Sequence, residues 1–143
     1  GGPSMMRAAQ AALDEAGSPN TLLIAVTVLT SLSDEDLGET GYALNAGDLV
    51  TRLARLTQSC GLGGVVCSPR EIKAIRAACG PDFKLIVPGI RPVWSEAGDQ
   101  KRITTPAQAI QDGADYIVIG RPITGAADPL DAARCIAEEL AGL

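Results

Sequence analysis

The chain has 143 residues, of which 46% are apolar and 3% aromatic, and it carries a formal net charge of −5 with no histidine. Its length suits one domain or part of a larger one, with a core built from aliphatic side chains. An acidic chain gains nothing from counterion release, which argues against nucleic acid as a partner. The lack of histidine removes the commonest general base and metal ligand, so we expect no metal site. The longest apolar run, residues 22–29, is too short to cross a membrane.

No C-x-x-C pair occurs among the four cysteines, which are Cys60, Cys67, Cys79 and Cys135. Zinc and redox sites usually use such a pair, so the spacing favours reduced thiols in a cytoplasmic protein. The chain opens on GGPSMMRAAQ, with neither an initiator methionine nor a leader. Glycines directly before a helix are more typical of an internal loop than of the start of a protein.

Apolar runs and helical periods alternate along the chain. After a helix near the start, runs at 22–29, 64–67, 84–87 and 116–119 predict four strands. One face of a helix between the first two strands collects Leu49, Val50, Leu53, Leu56 and Cys60, and the next helix repeats the pattern at Ile72, Ile75 and Cys79. The alternation predicts a parallel α/β sheet with right-handed crossovers, either a doubly wound open sheet or half of a (β/α)8 barrel.

Three helix starts share one pattern, in which a small polar residue precedes proline and an acid or amide follows. They are SPRE at 68–71, TPAQ at 105–108 and DPLD at 128–131. The first two predict capping boxes with proline at the first helical position, and the third is a close variant. Gly80 and Gly113 stand where helix ends favour a left-handed residue.

In both architectures, functional residues gather at the carboxyl ends of the strands. Lys84 and Asp115 precede their strands, so we expect structural roles for them at the opposite edge. The residues that follow strands are Thr30, Ser31, Pro88, Arg91, Gly120 and Arg121. A hydroxyl or backbone contact to a polar ligand is one interpretation of the first two.

The last two strands are followed by PGIR and GRP, which together predict an anion site. Gly120 has no side chain, so a ligand can approach its backbone N–H closely. Arg91 and Arg121 bring planar guanidinium groups suited to phosphate, and Gln100 adds an amide donor. Barrel enzymes often bind phosphate with the loops of their last two strands. The alternative is that both arginines pair with surface acids nearby.

The remaining polar groups are weaker candidates. Glu96 and Asp99 resemble an acid/base pair, but solvation or pairing within their loop is the better interpretation. Trp94 serves either as an anchor of that loop or as a subunit contact. The acids of residues 34–39 suit a metal less well than a solvated short helix.

Four stretches together make the sequence resemble the bacterial type of orotidine 5′-monophosphate decarboxylase: VTVLTS, GVVCS, PGIRP…GDQKRITTP and DYIVIGRPIT. They run the length of the chain in order, although IGRPIT alone would suit several phosphate-binding barrels. The resemblance implies a (β/α)8 (TIM) barrel that works as a homodimer and converts orotidine 5′-monophosphate (OMP) to uridine 5′-monophosphate (UMP) and CO2 without a cofactor. Residues 1–143 would then be the C-terminal half of one barrel domain, with strands 5–8.

The resemblance also implies a role for each matched residue. Thr30 would contact the pyrimidine, and Pro88 would line the base pocket. The phosphate ligands would be Arg91 and Gln100 from the closing loop and Gly120 and Arg121 after the last strand.

The catalytic residues of that family are a lysine and aspartates in a D-x-K-x-x-D motif after earlier strands, with one aspartate from the partner subunit. This chain has no such motif, so no catalytic residue is assigned within it and we expect it to be inactive alone. The implied partners are OMP and UMP, the N-terminal half of the barrel and a second subunit. The alternatives are another phosphosugar decarboxylase or aldolase of the same barrel group, and a non-catalytic nucleotide-binding half-barrel.

Overall fold

The computed structural model describes residues 1–95 and 104–143, in which strands and helices alternate as the sequence predicts. The strands are β1 (Ile24–Val26), β2 (Gly64–Val66), β3 (Lys84–Pro88) and β4 (Tyr116–Val118). The helices are α1 (Pro3–Glu15), α2 (Asp34–Glu39), α3 (Ala46–Ser59), α4 (Ile72–Cys79), α5 (Pro106–Asp112), α6 (Arg121–Thr124) and α7 (Pro129–Ala141). A 3₁₀ turn, Pro69–Glu71, precedes α4. Within this described part, no helix is long and apolar enough to cross a membrane.

The first strand is shorter than its apolar run predicts. β1 ends at Val26, and the next residue, Thr27, turns both its backbone N–H (3.3 Å) and its hydroxyl (2.8 Å) to the Val66 oxygen. The Val66 oxygen thus accepts a backbone bond from the end of β1 and the Thr27 hydroxyl together. The rest of the run leaves the sheet and leads into the loop before α2.

The predicted helix starts are confirmed in their caps and prolines. Thr105 accepts the Gln108 N–H at 3.2 Å and precedes Pro106, and Asp128 accepts two N–H groups at the start of α7. The box at Thr105 is one-sided, because the Gln108 amide donates to Asp112 at 3.0 Å. The 68–71 start opens with a 3₁₀ turn, in which Ser68 accepts the Arg70 N–H at 3.3 Å.

The sheet is parallel and runs in chain order, β1-β2-β3-β4. Helices α3, α4 and α5 pack on one of its faces, where the core side chains of β2 and β3 are fully buried: Val65, Leu85 and Val87. A doubly wound sheet reverses its strand order and carries helices on both faces. This sheet does neither in the described residues, so of the two predicted architectures it fits the barrel segment.

The opposite face of the sheet is apolar and uncovered, and we call it the open face. Val26 is 60% exposed, Tyr116 54% and Val118 49%. The register places them on one side of the sheet, because Val26 pairs through Val66 and Ile86 with Tyr116. Large exposed apolar patches mark surfaces that pack against something else.

At the amino edge of the sheet, the Arg76 guanidinium binds the turns that enter β3 and β4. Its Nη1 donates to the backbone oxygens of Gly80 (3.0 Å), Pro81 (2.9 Å) and Phe83 (2.7 Å), and its Nη2 donates to that of Gly113 (2.5 Å). Arginine can do this because its two terminal nitrogens carry four N–H groups in a fixed planar arrangement, and the three oxygens at Nη1 share two of them. The guanidinium therefore fixes two successive strand entries relative to α4.

Asp115 completes this network with its carboxylate. It binds Arg76 Nη2 at 2.6 Å, Lys84 Nζ at 2.9 Å and the Leu85 N–H at 2.9 Å. Burial acts to raise the pKa of Asp115, but hydrogen bonds from Lys84, Leu85 and Arg76 outweigh it and hold the pKa below its ordinary value. The predicted structural role of Lys84 and Asp115 fits these contacts.

Asp115→Asn should lower the free energy of unfolding by about 2 kcal/mol at neutral pH, because the half-buried Arg76 loses its charged partner. A pKa lowered on folding contributes stability above the unfolded-state value and loses it as the pH falls through the folded-state value. The difference between variant and parent should therefore shrink below about pH 4. Chemical denaturation across pH measures both effects.

Asp112→Asn is the matched control for this variant. The Asp112 partner, Lys73, is 77% exposed, and exposed ion pairs contribute little to stability. Equal losses in the two variants would contradict a special role for the Arg76 network.

Two of the four cysteines lie in the core as free thiols, and Cys135 is exposed on α7. Cys67 is 1% exposed, and burial raises its pKa to about 12, helped by the charge of Glu71 and opposed by that of Arg76. The thiolate is the reactive form, so Cys67 is chemically quiet.

A thiol reagent at pH 8 should modify Cys135 quickly and leave Cys67 intact until the protein unfolds, because roughly 10⁻⁴ of Cys67 is thiolate at that pH. Peptide mass analysis after brief labelling identifies the modified residues. The Cys135→Ser variant should lose the fast phase of thiol labelling. A fast labelling phase assigned to Cys67 would show that the core opens readily.

Candidate functional site

A cavity of about 480 Å³ opens at the carboxyl edge of the sheet, beyond β1, β2 and β3. Its size is in the range of small-molecule sites, roughly 300–1,000 Å³. The lining comes from residues 28–33 after β1, residues 68–71 after β2, and the end of β3 at Pro88 with the following Gly89. Ala46, Val50 and Thr104 complete it. Parallel strands deliver these loops to one edge, which is why residues far apart in sequence meet there.

Two predicted site residues lie in this lining. Thr30 follows β1 on an exposed turn, with Ser31 beside it, and Pro88 ends β3. Gly89 has φ +80°, a conformation that side chains rarely adopt. The Pro88-Gly89 pair thus ends the strand at the edge of the cavity.

Arg91 lies directly beyond this turn and is 7% exposed. Its backbone N–H donates to the Thr104 oxygen at 3.0 Å, and Thr104 lines the cavity. The flanking Ile90 and Pro92 are fully buried. The backbone that carries Arg91 is therefore anchored on both sides and lies next to the cavity.

Gly120 and Arg121 follow β4 and begin α6. The cavity lining does not include them, and both are exposed. Gly120 has φ −103° and ψ −94°, and a Cβ added there would meet no atom within 4 Å. The packing of the described residues therefore leaves open space at this position.

The cavity residues that were not predicted as site residues include three polar residues of one loop, Ser68, Arg70 and Glu71. Residues 68–71 were interpreted from the sequence only as the start of a helix. They also follow a predicted strand, so the rule that selected Thr30, that functional residues follow strands, would have selected them too. Burial raises the pKa of Glu71 above its ordinary value, against hydrogen bonds from Ser68 and the charge of Arg70. The Glu71 Oε2 atom is buried and has no hydrogen-bond partner.

Several predictions fall elsewhere. Gln100, Glu96 and Asp99 lie outside the described residues. Trp94 is 47% exposed, which leaves its role a prediction. The predicted short helix at 34–39 is confirmed as α2, with a capping box between Ser33 and Asp36. Residues 1–95 and 104–143 contain no group of metal-ligating side chains.

The sequence matches the model of one protein family, described as "Orotidine 5'-phosphate decarboxylase / HUMPS family", over residues 1–136. It is 57% identical to a relative named orotidine 5′-phosphate decarboxylase from Paramagnetospirillum magneticum and 56% identical to one from Rhodospirillum rubrum, over 98% and 99% of this chain. A crystal structure of orotidine 5′-phosphate decarboxylase from Lactobacillus acidophilus superposes with a TM-score of 0.80 at 39% identity, over 97% of this chain.

These relatives are longer than this chain. The match spans 61% and 59% of the two curated relatives and 59% of the solved structure. The partial coverage agrees with a four-stranded part of a (β/α)8 barrel, as the one-sided parallel sheet indicates. The family model matches residues 1–136, which is nearly the whole of this chain. The chain therefore belongs to the orotidine 5′-phosphate decarboxylase / HUMPS family.

Proposed function

We propose that this chain is the C-terminal half of an orotidine 5′-phosphate decarboxylase, which converts OMP to UMP and CO2. The observation that carries this proposal is the family match over residues 1–136 together with identities above 55% to relatives of that name. In this proposal, residues of this chain bind the pyrimidine and the phosphate of the substrate. The cavity at the carboxyl edge of the sheet supports that role.

The phosphate site is proposed at Arg91 and Arg121. Pro88 pairs with Val118 in the sheet, and each arginine follows its paired residue by three positions. The two guanidinium groups thus start from the same level of neighbouring strands. Two planar donors arriving from adjacent loops suit a phosphate dianion.

Gly120 and Gln100 are proposed to complete the phosphate site. The open space around Gly120 would let an anion approach its backbone N–H. The role of Gln100, as an amide donor to the phosphate, rests on the resemblance alone.

The pyrimidine is proposed to lie in the cavity, against Thr30 and Pro88. Thr30 offers a hydroxyl and backbone groups for the polar edge of the base, and Pro88 offers an apolar wall. A pocket with an apolar wall and a few polar groups is the usual construction of a small-molecule site.

The bond-breaking groups are proposed to lie in the additional length of the full protein. The resemblance assigns that chemistry to a D-x-K-x-x-D motif, which this chain lacks. Preorganised charges at the reacting carbon usually supply the largest catalytic contribution. The phosphate contact is remote from that carbon, so it contributes binding energy that positions the substrate.

The open face supports a further part of the proposal, that the remaining strands of the barrel pack against it. Its exposed valines and tyrosine would become the barrel interior, and β1 and β4 would gain neighbours. A parallel sheet is normally covered on both faces. A homodimer remains an expectation from the resemblance, and a cytoplasmic location remains one from the cysteine spacing.

Arg121→Ala in the full-length protein should weaken UMP binding by about 2–3 kcal/mol, because a charge-assisted hydrogen bond to the phosphate is lost. Arg134→Ala is the control, since Arg134 is an exposed arginine on α7 and far along the chain from the cavity loops. Isothermal titration measures both. Unchanged affinity in Arg121→Ala would remove this residue from the phosphate site.

The residues 1–143 alone should not consume OMP, whereas the same chain joined to the N-terminal half of a barrel should. Loss of OMP is followed by its ultraviolet absorbance, and circular dichroism checks that each sample is folded. A folded, complemented sample that binds UMP without turnover would contradict the decarboxylase proposal and favour a nucleotide-binding protein.

A further inference from the structure

A carboxylate of α7 binds the start of α5. Glu139 Oε1 accepts the Ala107 N–H at 2.9 Å, from 32 positions further along the chain, and the bond is partly buried. Glu139 follows the buried Ala132 and Ile136 at the helical spacing that places all three on one face of α7. The phosphate and pyrimidine contacts proposed above do not use Glu139.

This bond completes the hydrogen bonding at the start of α5. The first N–H groups of a helix have no partner within the helix itself. In α5, Pro106 has no N–H, and the Gln108 N–H donates to the Thr105 hydroxyl at 3.2 Å. Glu139 supplies the acceptor for Ala107, which lies between them. Its carboxylate also suits the positive end of the helix dipole.

The start of α5 is connected to the backbone that carries Arg91. The Thr104 oxygen accepts the Arg91 N–H at 3.0 Å, and Thr104 lies three residues before Ala107. Pro106, between them, is fully buried and holds this short segment against the core. By fixing Ala107, Glu139 therefore also restricts Thr104 and, through it, the Arg91 backbone.

Glu139 itself belongs to the unit that carries Arg121. Helix α6 begins at Arg121 and packs against α7. The ladder between β3 and β4 ends at Pro88 and Val118, three residues before each arginine. The bond from Ala107 to Glu139 joins the same two units a second time, through their helices.

We propose that Glu139 is a positioning residue, which sets the separation of Arg91 and Arg121. This inference rests on the proposed function, in which both arginines bind the substrate phosphate. Charge-assisted hydrogen bonds tolerate little change in length, so two guanidinium groups hold one phosphate only at the right separation. Without the Glu139 carboxylate, the Ala107 N–H loses its acceptor, and α5 can move together with the Arg91 backbone.

Binding of two ligands to the full-length protein tests the positioning role. Glu139→Ala should weaken UMP and ribose 5-phosphate by the same factor, about fivefold, the equivalent of one hydrogen bond. Ribose 5-phosphate carries the phosphate without the base, so an equal loss assigns the defect to the phosphate site. Thr30→Ala should instead weaken UMP and leave ribose 5-phosphate unchanged. A loss in Glu139→Ala that is confined to UMP, or absent for both ligands, would overturn the inference.

Two variants at the same end of α7 are the controls. Glu139→Gln keeps an oxygen acceptor for the Ala107 N–H, so both affinities should stay within about twofold of the parent. Glu138→Ala removes the neighbouring carboxylate, which is exposed, and should leave both affinities unchanged. Equal losses in Glu138→Ala and Glu139→Ala would show that the charge of this helix end matters and the bond does not, which contradicts the inference.

Glu139→Asp keeps the proposal testable if Glu139→Ala does not fold. It retains the charge but shortens the side chain by one methylene, about 1.5 Å, which is enough to break the bond to Ala107. The affinity for ribose 5-phosphate and the protection of the Ala107 amide from hydrogen exchange should then fall together. A fall in protection with unchanged affinity would count against the positioning role.

Amide hydrogen exchange without ligand separates this inference from the proposed function. The amides of Ala107 and Arg91 should exchange faster in Glu139→Ala than in the parent, and at the parent rate in Glu139→Gln. The Leu85 amide, which binds Asp115 at the other edge of the sheet, should keep the parent rate, because the release is local. Parent protein that binds neither ligand would sink the proposed function, while exchange would still decide the role of Glu139. Unchanged exchange at Arg91 in Glu139→Ala would overturn that role.

Discussion

The hydrogen bonds of one guanidinium set the geometry on which the rest of this structure depends. Arg76 binds the turn that enters β3, the turn that enters β4 and the carboxylate between them. With these two entries fixed to α4, the register of β3 on β4 is fixed as well. The residues that leave the two strands at the opposite edge are then aligned without any direct contact between them.

The one-sided packing of the sheet has a matching effect at the carboxyl edge. Helices α3, α4 and α5 take up one face, so their core alone orients the strands, and the loops emerge together. The cavity forms where three of those loops meet, and the fourth loop carries Gly120 and Arg121. The open face, in contrast, has no layer packed on it. Its exposed valines and tyrosine would need a second layer of structure to be buried.

Most of the fold could be predicted from the sequence because local rules agreed with the long-range ones. Aliphatic runs marked all four strands, and proline after a small polar residue marked three helix starts. The early end of β1 was not predictable from local sequence, because the aliphatic run continues to Leu29 and the strand ends where pairing with β2, about 40 positions away, stops. The packing of helices on one face likewise depends on the whole sheet.

The site was predictable to the extent that strand ends decide it. Thr30 and Pro88 lie in the cavity as the strand-end rule predicts, and Arg91 lies next to it. Ser68 and Glu71 were missed, because their helix-start pattern offered a complete explanation at the level of local structure. Their place in the cavity lining appears only in the folded structure, where three loops meet.

The equal spacing from Pro88 to Arg91 and from Val118 to Arg121 has a consequence for evolution. Surface loops usually accept insertions and deletions more readily than the elements that they connect. Here each arginine is the third residue after a strand, and the two strand ends, Pro88 and Val118, are paired in the sheet. The number of residues between each strand end and its arginine therefore sets the position of that arginine. At the proposed phosphate site, one added residue would displace a guanidinium by about 3.3 Å, more than a hydrogen bond tolerates. These short stretches should therefore change length less often than the loops elsewhere, even where their side chains vary.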